Sequence, residues 1–134
     1  MNRLLIAIAA VLFSSSAFAE YHVVVSKRHQ TMSVYEDGEL LDVWPVSTAR
    51  RGYVTPSGTY YPYSYQPIHY SRKYDNAPMP HSIFFSGGYA IHATPHIGNL
   101  GRPASHGCVR LSPRNAATLY NMTKGVPTTI SIKE

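Results

Sequence analysis

Apolar and polar residues alternate with a period of two through most of this chain, a pattern that suits strands and leaves little room for helix. Tyr21 to Val25 is a β-branched run, Thr31 to Tyr35 sets Met32 and Val34 between polar neighbours, and Asp37-Gly38 marks a hairpin turn before Leu40 to Val46. The first half is therefore expected to be an antiparallel meander. Thr55-Pro56-Ser57-Gly58 is a turn, with Thr59 to Tyr63 as the next strand. Ser82 to Phe85 and Tyr89 to His92 form a second hairpin across Gly87-Gly88, and Thr128 to Ile132 returns to the sheet. One helix interrupts the pattern: Ser112 is its N-cap, Pro113 its first residue, Ala116, Leu119 and Tyr120 its apolar face and Gly125 its stop.

The first nineteen residues differ from the rest. Arg3, an apolar core from Leu4 to Phe13, a Ser-rich stretch and Ala17-Phe18-Ala19 give the three-part pattern of a secretory signal peptide cleaved after Ala19. The apolar core is about ten residues, half of what a spanning helix needs, and no cysteine follows the cleavage site to carry a lipid. Residues 20–134 remain, the size of one domain with one core. No membrane anchor is expected once the leader is gone.

Removing Arg3 from the twelve Lys and Arg leaves eleven against seven acidic residues, a formal +4. The basic pairs Lys27-Arg28, Arg50-Arg51 and Arg72-Lys73 are scattered and form no continuous stripe, so nucleic acid is not an expected partner. Between Tyr60 and Tyr74 six tyrosines stand among prolines, with Pro78 and Pro80 following. This stretch reads as a long ordered loop that either lines a groove or covers the sheet.

Cys108 is the only cysteine, so an exported chain would carry it with no disulfide partner. It sits in Ser105-His106-Gly107-Cys108-Val109-Arg110-Leu111, with small residues and an imidazole around the sulfur. A thiolate becomes a useful nucleophile when a base or a positive field lowers its pKa, and Cys108 reads as that nucleophile. His106, two residues away, is a base by spacing alone. His92, His96, His106 and Cys108 are all zinc ligands by type. Thr94-Pro95 breaks any helix that would align His92 with His96, and the spacings match no common zinc pattern, so neither metal nor cofactor is expected. His22, His29, His69 and His81 have no evident partner and read as surface or loop residues.

The segment Tyr89-Ala90-Ile91-His92, the run from Gly101 to Leu111 and the helix after it resemble the signature of the L,D-transpeptidase catalytic domain, the YkuD family. Pro45-Val46-Ser47-Thr48 and Thr55-Pro56-Ser57-Gly58-Thr59 resemble its early strand and turn, so the likeness covers nearly all of 20–134. The resemblance implies a sandwich-like, mainly β domain acting on peptidoglycan stem peptides in the periplasm or cell wall. Cys108 would attack the carbonyl of the third stem residue and expel the terminal D-alanine. An amine would then take the acyl group, from a neighbouring stem, an outer-membrane or wall-attached protein, or a free D-amino acid. It further implies His92 as the base and the Ala93 main-chain carbonyl as the group holding its ring, where relatives commonly carry Gly or Ser. His106 and Ser105 take supporting roles. The N–H groups of Gly107 and Cys108 are natural oxyanion donors. Tyr89 is assigned to substrate binding; Arg110, two residues beyond the sulfur, either holds a substrate carboxylate, lowers the thiol pKa, or makes a structural salt bridge or hydrogen bond to the loop. With water as acceptor the same site would be a carboxypeptidase or endopeptidase; without a reactive thiol it would be a silent wall-binding module.

Overall fold

The computed structural model describes residues 19–134, so the expected leader, apart from Ala19, lies outside the described residues. Two sheets form the domain. The first has the order β3-β2-β1-β9-β4, built from β1 (Tyr21–Ser26), β2 (Thr31–Glu36), β3 (Glu39–Pro45), β4 (Gly58–Tyr60) and β9 (Thr128–Lys133). The second has the order β5-β6-β7-β8, from β5 (Ser64–Ser71), β6 (Ala77–Ser86), β7 (Tyr89–Ala93) and β8 (Val109–Leu111). β1, β2 and β3 form the antiparallel meander that the alternation predicts. The last strand, β9, runs parallel to β1 and pairs with it along its whole length, from Tyr21 beside Thr128 to Ser26 beside Lys133.

The period-two pattern becomes the core directly. Val23, Val25, Met32, Val34, Ile130 and Ile132 of the first sheet join Ile83, Ile91, Val109 and Leu111 of the second in one buried cluster. Each such side chain contributes roughly 1.5–3 kcal/mol by leaving water. α1 (Pro113–Thr123) adds Ala116, Leu119 and Tyr120 and packs on β6, β7 and β8. Its start follows the sequence signal: Pro113 opens the helix and Ser112 Oγ accepts from the Asn115 N–H at 3.1 Å.

The Tyr-rich stretch is not the expected loop. It forms the hairpin β5–β6, with only residues 72–76 as its turn. Pro78 and Pro80 lie in the part of β6 that does not pair with β7, and Pro67 is tolerated on the edge strand β5, where the ladder skips it opposite His81. His81 adopts φ +50 there. The break also changes which residues share a face: Phe84 before it and Met79 beyond it, an odd number of residues apart, belong to one buried cluster.

Candidate active site

β7 and β8 run in parallel register, with Ile91 beside Val109, His92 beside Arg110 and Ala93 beside Leu111. Residues paired this way project to one side, and successive residues to opposite sides. Ile91, Ala93, Val109 and Leu111 are all 2% exposed or less and enter the core. Ala90, His92, Cys108 and Arg110 are consequently delivered to the other side of the sheet. Cys108 is one strand over from His92, about 5 Å, and two residues along, about 7 Å.

That side opens into a cavity of about 840 Å³ lined by Cys108, His92, Arg110, His106, Ser105 and Tyr89, with Ala93 at its edge. The turn of the β5–β6 hairpin lies over it with Arg72, Lys73, Tyr74 and Asp75. The His106 ring packs in tilted contact with Tyr74 of that turn, 4.2 Å between centroids, and with Tyr53, 4.6 Å. Partial burial, with Arg50, Arg110 and Lys73 nearby, holds His106 below the usual imidazole range.

His92 is buried, and its Nδ1 lies 2.8 Å from the Ala93 carbonyl oxygen. An N–H at Nδ1 donating to that carbonyl leaves Nε2 as the basic nitrogen. Burial lowers the His92 pKa to about 4, opposed by the Ala93 hydrogen bond and aided by the charges of Arg110 and His69. Burial likewise raises the Cys108 thiol, offset in part by a main-chain hydrogen bond with Ala90 and by Arg110. Cys108 keeps partial access to the cavity while packing against Met79, Phe84 and Ala90. With the thiol raised and the imidazole lowered, the proton rests on sulfur at neutral pH.

The loop before Cys108 is held by hydroxyl groups. Ser105 is fully buried; its Oγ accepts from the Gly107 N–H at 3.0 Å and donates to the Cys108 carbonyl at 2.5 Å. Thr55, from the Thr-Pro-x-Gly turn, accepts from the Ala49 N–H at 2.9 Å and donates to the Gly107 carbonyl at 2.8 Å. Gly107 itself has φ +141, and a Cβ there would lie 2.6 Å from Tyr89 Cε1 and 3.1 Å from the Val54 carbonyl oxygen. Of the two N–H groups expected to serve an oxyanion, that of Gly107 is engaged by Ser105 Oγ in this structure. Arg110 reaches only the Ala104 carbonyl, at 3.4 Å, and no carboxylate pairs with it among the described residues.

Comparison with known proteins bears on the family and the fold. Residues 20–132 match the model of the L,D-transpeptidase catalytic domain, YkuD. The chain belongs to that family. A Bacillus licheniformis protein that carries the L,D-transpeptidase YkuD name is 25% identical over 106 residues, 76% of this chain and 59% of that protein. An L,D-transpeptidase structure from Mycobacterium smegmatis superposes with TM-score 0.80 at 28% identity, covering 87% of this chain and 59% of that one. One from Stackebrandtia nassauensis gives 0.77 at 29% identity, covering 93% and 62%. The chain thus spans about three fifths of the length of these relatives. Among the described residues no helix is long and apolar enough to cross a membrane.

The cavity also holds residues that sequence reasoning passed over. His69, read as a surface or loop residue, lines it, as do His96 and the hairpin-turn residues. The only sequence signal for His69 was Gln66 three residues earlier, and that spacing has no meaning until the break at Pro67 is known.

Proposed function

We propose that this chain is a peptidoglycan L,D-transpeptidase that uses Cys108 as its nucleophile and His92 as its base. The observation that carries the reading is the placement of Cys108, His92 and Arg110 on the cavity side of two adjacent parallel strands, in a chain of this family. His92 Nε2 takes the thiol proton as sulfur adds to the carbonyl of the third stem residue; the neutral resting pair means that ionisation accompanies attack. The Cys108 N–H faces the developing oxyanion, and His92 returns the proton to the leaving D-alanine. Arg110, half-buried and without a carboxylate partner, holds a substrate carboxylate. Tyr89 walls the groove beside Gly107. The acyl-enzyme passes to an amine, either a neighbouring stem in a 3-3 cross-link or a lysine of a wall-attached protein, and the leader at 1–19 sends the chain to the periplasm or wall where those acceptors are found. The hairpin turn roofing the cavity supports an amine over water, since it restricts solvent at the thioester.

The test is mass spectrometry of purified protein incubated with tetrapeptide muropeptides. Wild type should release D-alanine, carry an acyl mass on Cys108 and form dimers, whereas Cys108→Ser should fold and do none of these, because an alcohol ionises far less than a thiol. Release of D-alanine by the Ser variant, or none by wild type, overturns the proposal.

A further inference from the structure

The acceptor half of such a reaction has a proton count that one base does not meet. A primary amine arrives as an ammonium ion and must lose two protons to become an amide nitrogen. One of them goes to the departing Cys108 sulfur; the other needs a separate destination. His92, with a pKa near 4, relays a proton at neutral pH and does not retain one.

A second imidazole stands in the same cavity. His69 on β5 lines it, and its Nδ1 lies 2.8 Å from Gln66 Oε1, which as an amide oxygen only accepts. The ring is thereby a donor at Nδ1 and basic at Nε2, an orientation matching that of His92 against Ala93. Phe84 packs edge-on to the His69 ring at 5.0 Å and belongs to the cluster that Cys108 packs against, so the two reactive groups flank one apolar patch. The ladder break at Pro67 and His81, with His81 at φ +50, is what turns His69 and its partner Met79 to the same side as Phe84. Backbone strain of this kind persists where the surrounding structure enforces it.

From this geometry we infer that His69, held by Gln66, is the acceptor-side base: its Nε2 takes the first proton from the incoming ammonium. The free amine then adds to the thioester, the C–N bond forms and the C–S bond breaks. The second proton passes through His92 to the Cys108 sulfur, and His69 yields the first to solvent. The inference rests on the transpeptidase reading above. His69 shares the cavity with His92, Cys108, Arg110 and Tyr89 from β7, β8 and the loop feeding them. His96 and His106 face it from the segment between β7 and β8, and Arg72, Lys73, Tyr74 and Asp75 from the hairpin turn. The cationic surplus among these groups lowers the pKa of an incoming ammonium and favours its deprotonation.

The test measures amine-acceptor product and D-alanine release for wild type, His69→Ala and Gln66→Leu across the pH range, with a tetrapeptide donor and a D-amino acid as acceptor. The ratio of amide product to D-alanine released should fall about tenfold or more in His69→Ala near pH 7 and recover toward about pH 9, where free amine is abundant. Gln66→Leu, which keeps the ring but frees it, should show a smaller loss with the same recovery. A ratio and pH profile unchanged in His69→Ala overturn the assignment, as does a loss that alkaline pH does not restore. Failure of wild type to release D-alanine would instead sink the underlying reading.

Discussion

The two sheets of this domain are built from similar material and treated differently. In the five-stranded sheet the ladder has one register shift, at Val34/Tyr35, and the alternating inward residues of β1, β2 and β9, namely Val23, Val25, Met32, Val34, Ile130 and Ile132, are 3% exposed or less. In the four-stranded sheet the ladder skips Pro67 and His81, shifts again between Phe84 and Ser86, and leads through Gly107 at φ +141 into β8. Every group given a chemical role above belongs to the second sheet or to the loop feeding it. A regular ladder uses both faces predictably and buries one; an interrupted ladder can aim chosen side chains into a cavity.

The sharpest way to break this contrast is at Gly107. In Gly107→Ala the new Cβ meets Tyr89 and the Val54 carbonyl, in a backbone conformation that L side chains rarely adopt. Displacing Cys108 by even 1 Å should lower acyl transfer about 10²-fold, while the five-stranded sheet keeps its protection in amide exchange. Normal turnover by this variant would show that the irregular sheet tolerates ordinary geometry after all.

A second, smaller effect concerns pH. The His92 pKa is about 4 in the folded chain against 6.5 for an unperturbed imidazole, so the unfolded chain binds a proton in this window that the folded one does not. This contribution is present above about pH 6.5, is lost as pH falls, and is gone below about pH 4, a difference of about 3 kcal/mol. Urea unfolding of wild type and His92→Gln should diverge in slope across that interval; parallel slopes would mean that the buried imidazole is not held neutral. Smaller still is Ile130→Val in the regular sheet, which should cost about 1 kcal/mol. Its rate of thiol acylation per folded molecule should match wild type, and a clear change would mean that the two sheets are not separable.

The regular sheet was legible in the sequence because its signals are local. The valines of β1, Met32 and Val34 of β2, the Asp37-Gly38 turn and the Ser112-Pro113 helix start each declare themselves within a few residues. Cys108 and His92, which line one cavity, stood out in the sequence for another reason, as parts of a distinctive pattern of residue types. The hairpin β5–β6 was not, since prolines and tyrosines argue locally for a loop and only pairing with β6 overrides them. His69 was hidden by the same misreading. The engagement of the Gly107 N–H by Ser105 was invisible as well, because hydroxyl placement depends on how the loop closes.

The parallel pairing of β1 with β9 has a mechanical side. Tyr21 lies beside Thr128 and Ser26 beside Lys133, so tension drawing the two ends of the domain apart would act at opposite ends of this ladder. Such a load shears all its evenly spaced hydrogen bonds together and does not unzip them one at a time. A domain tugged by its ends would therefore hold until the β1–β9 ladder gives, with the cavity-lining strands β7 and β8 outside the line of force.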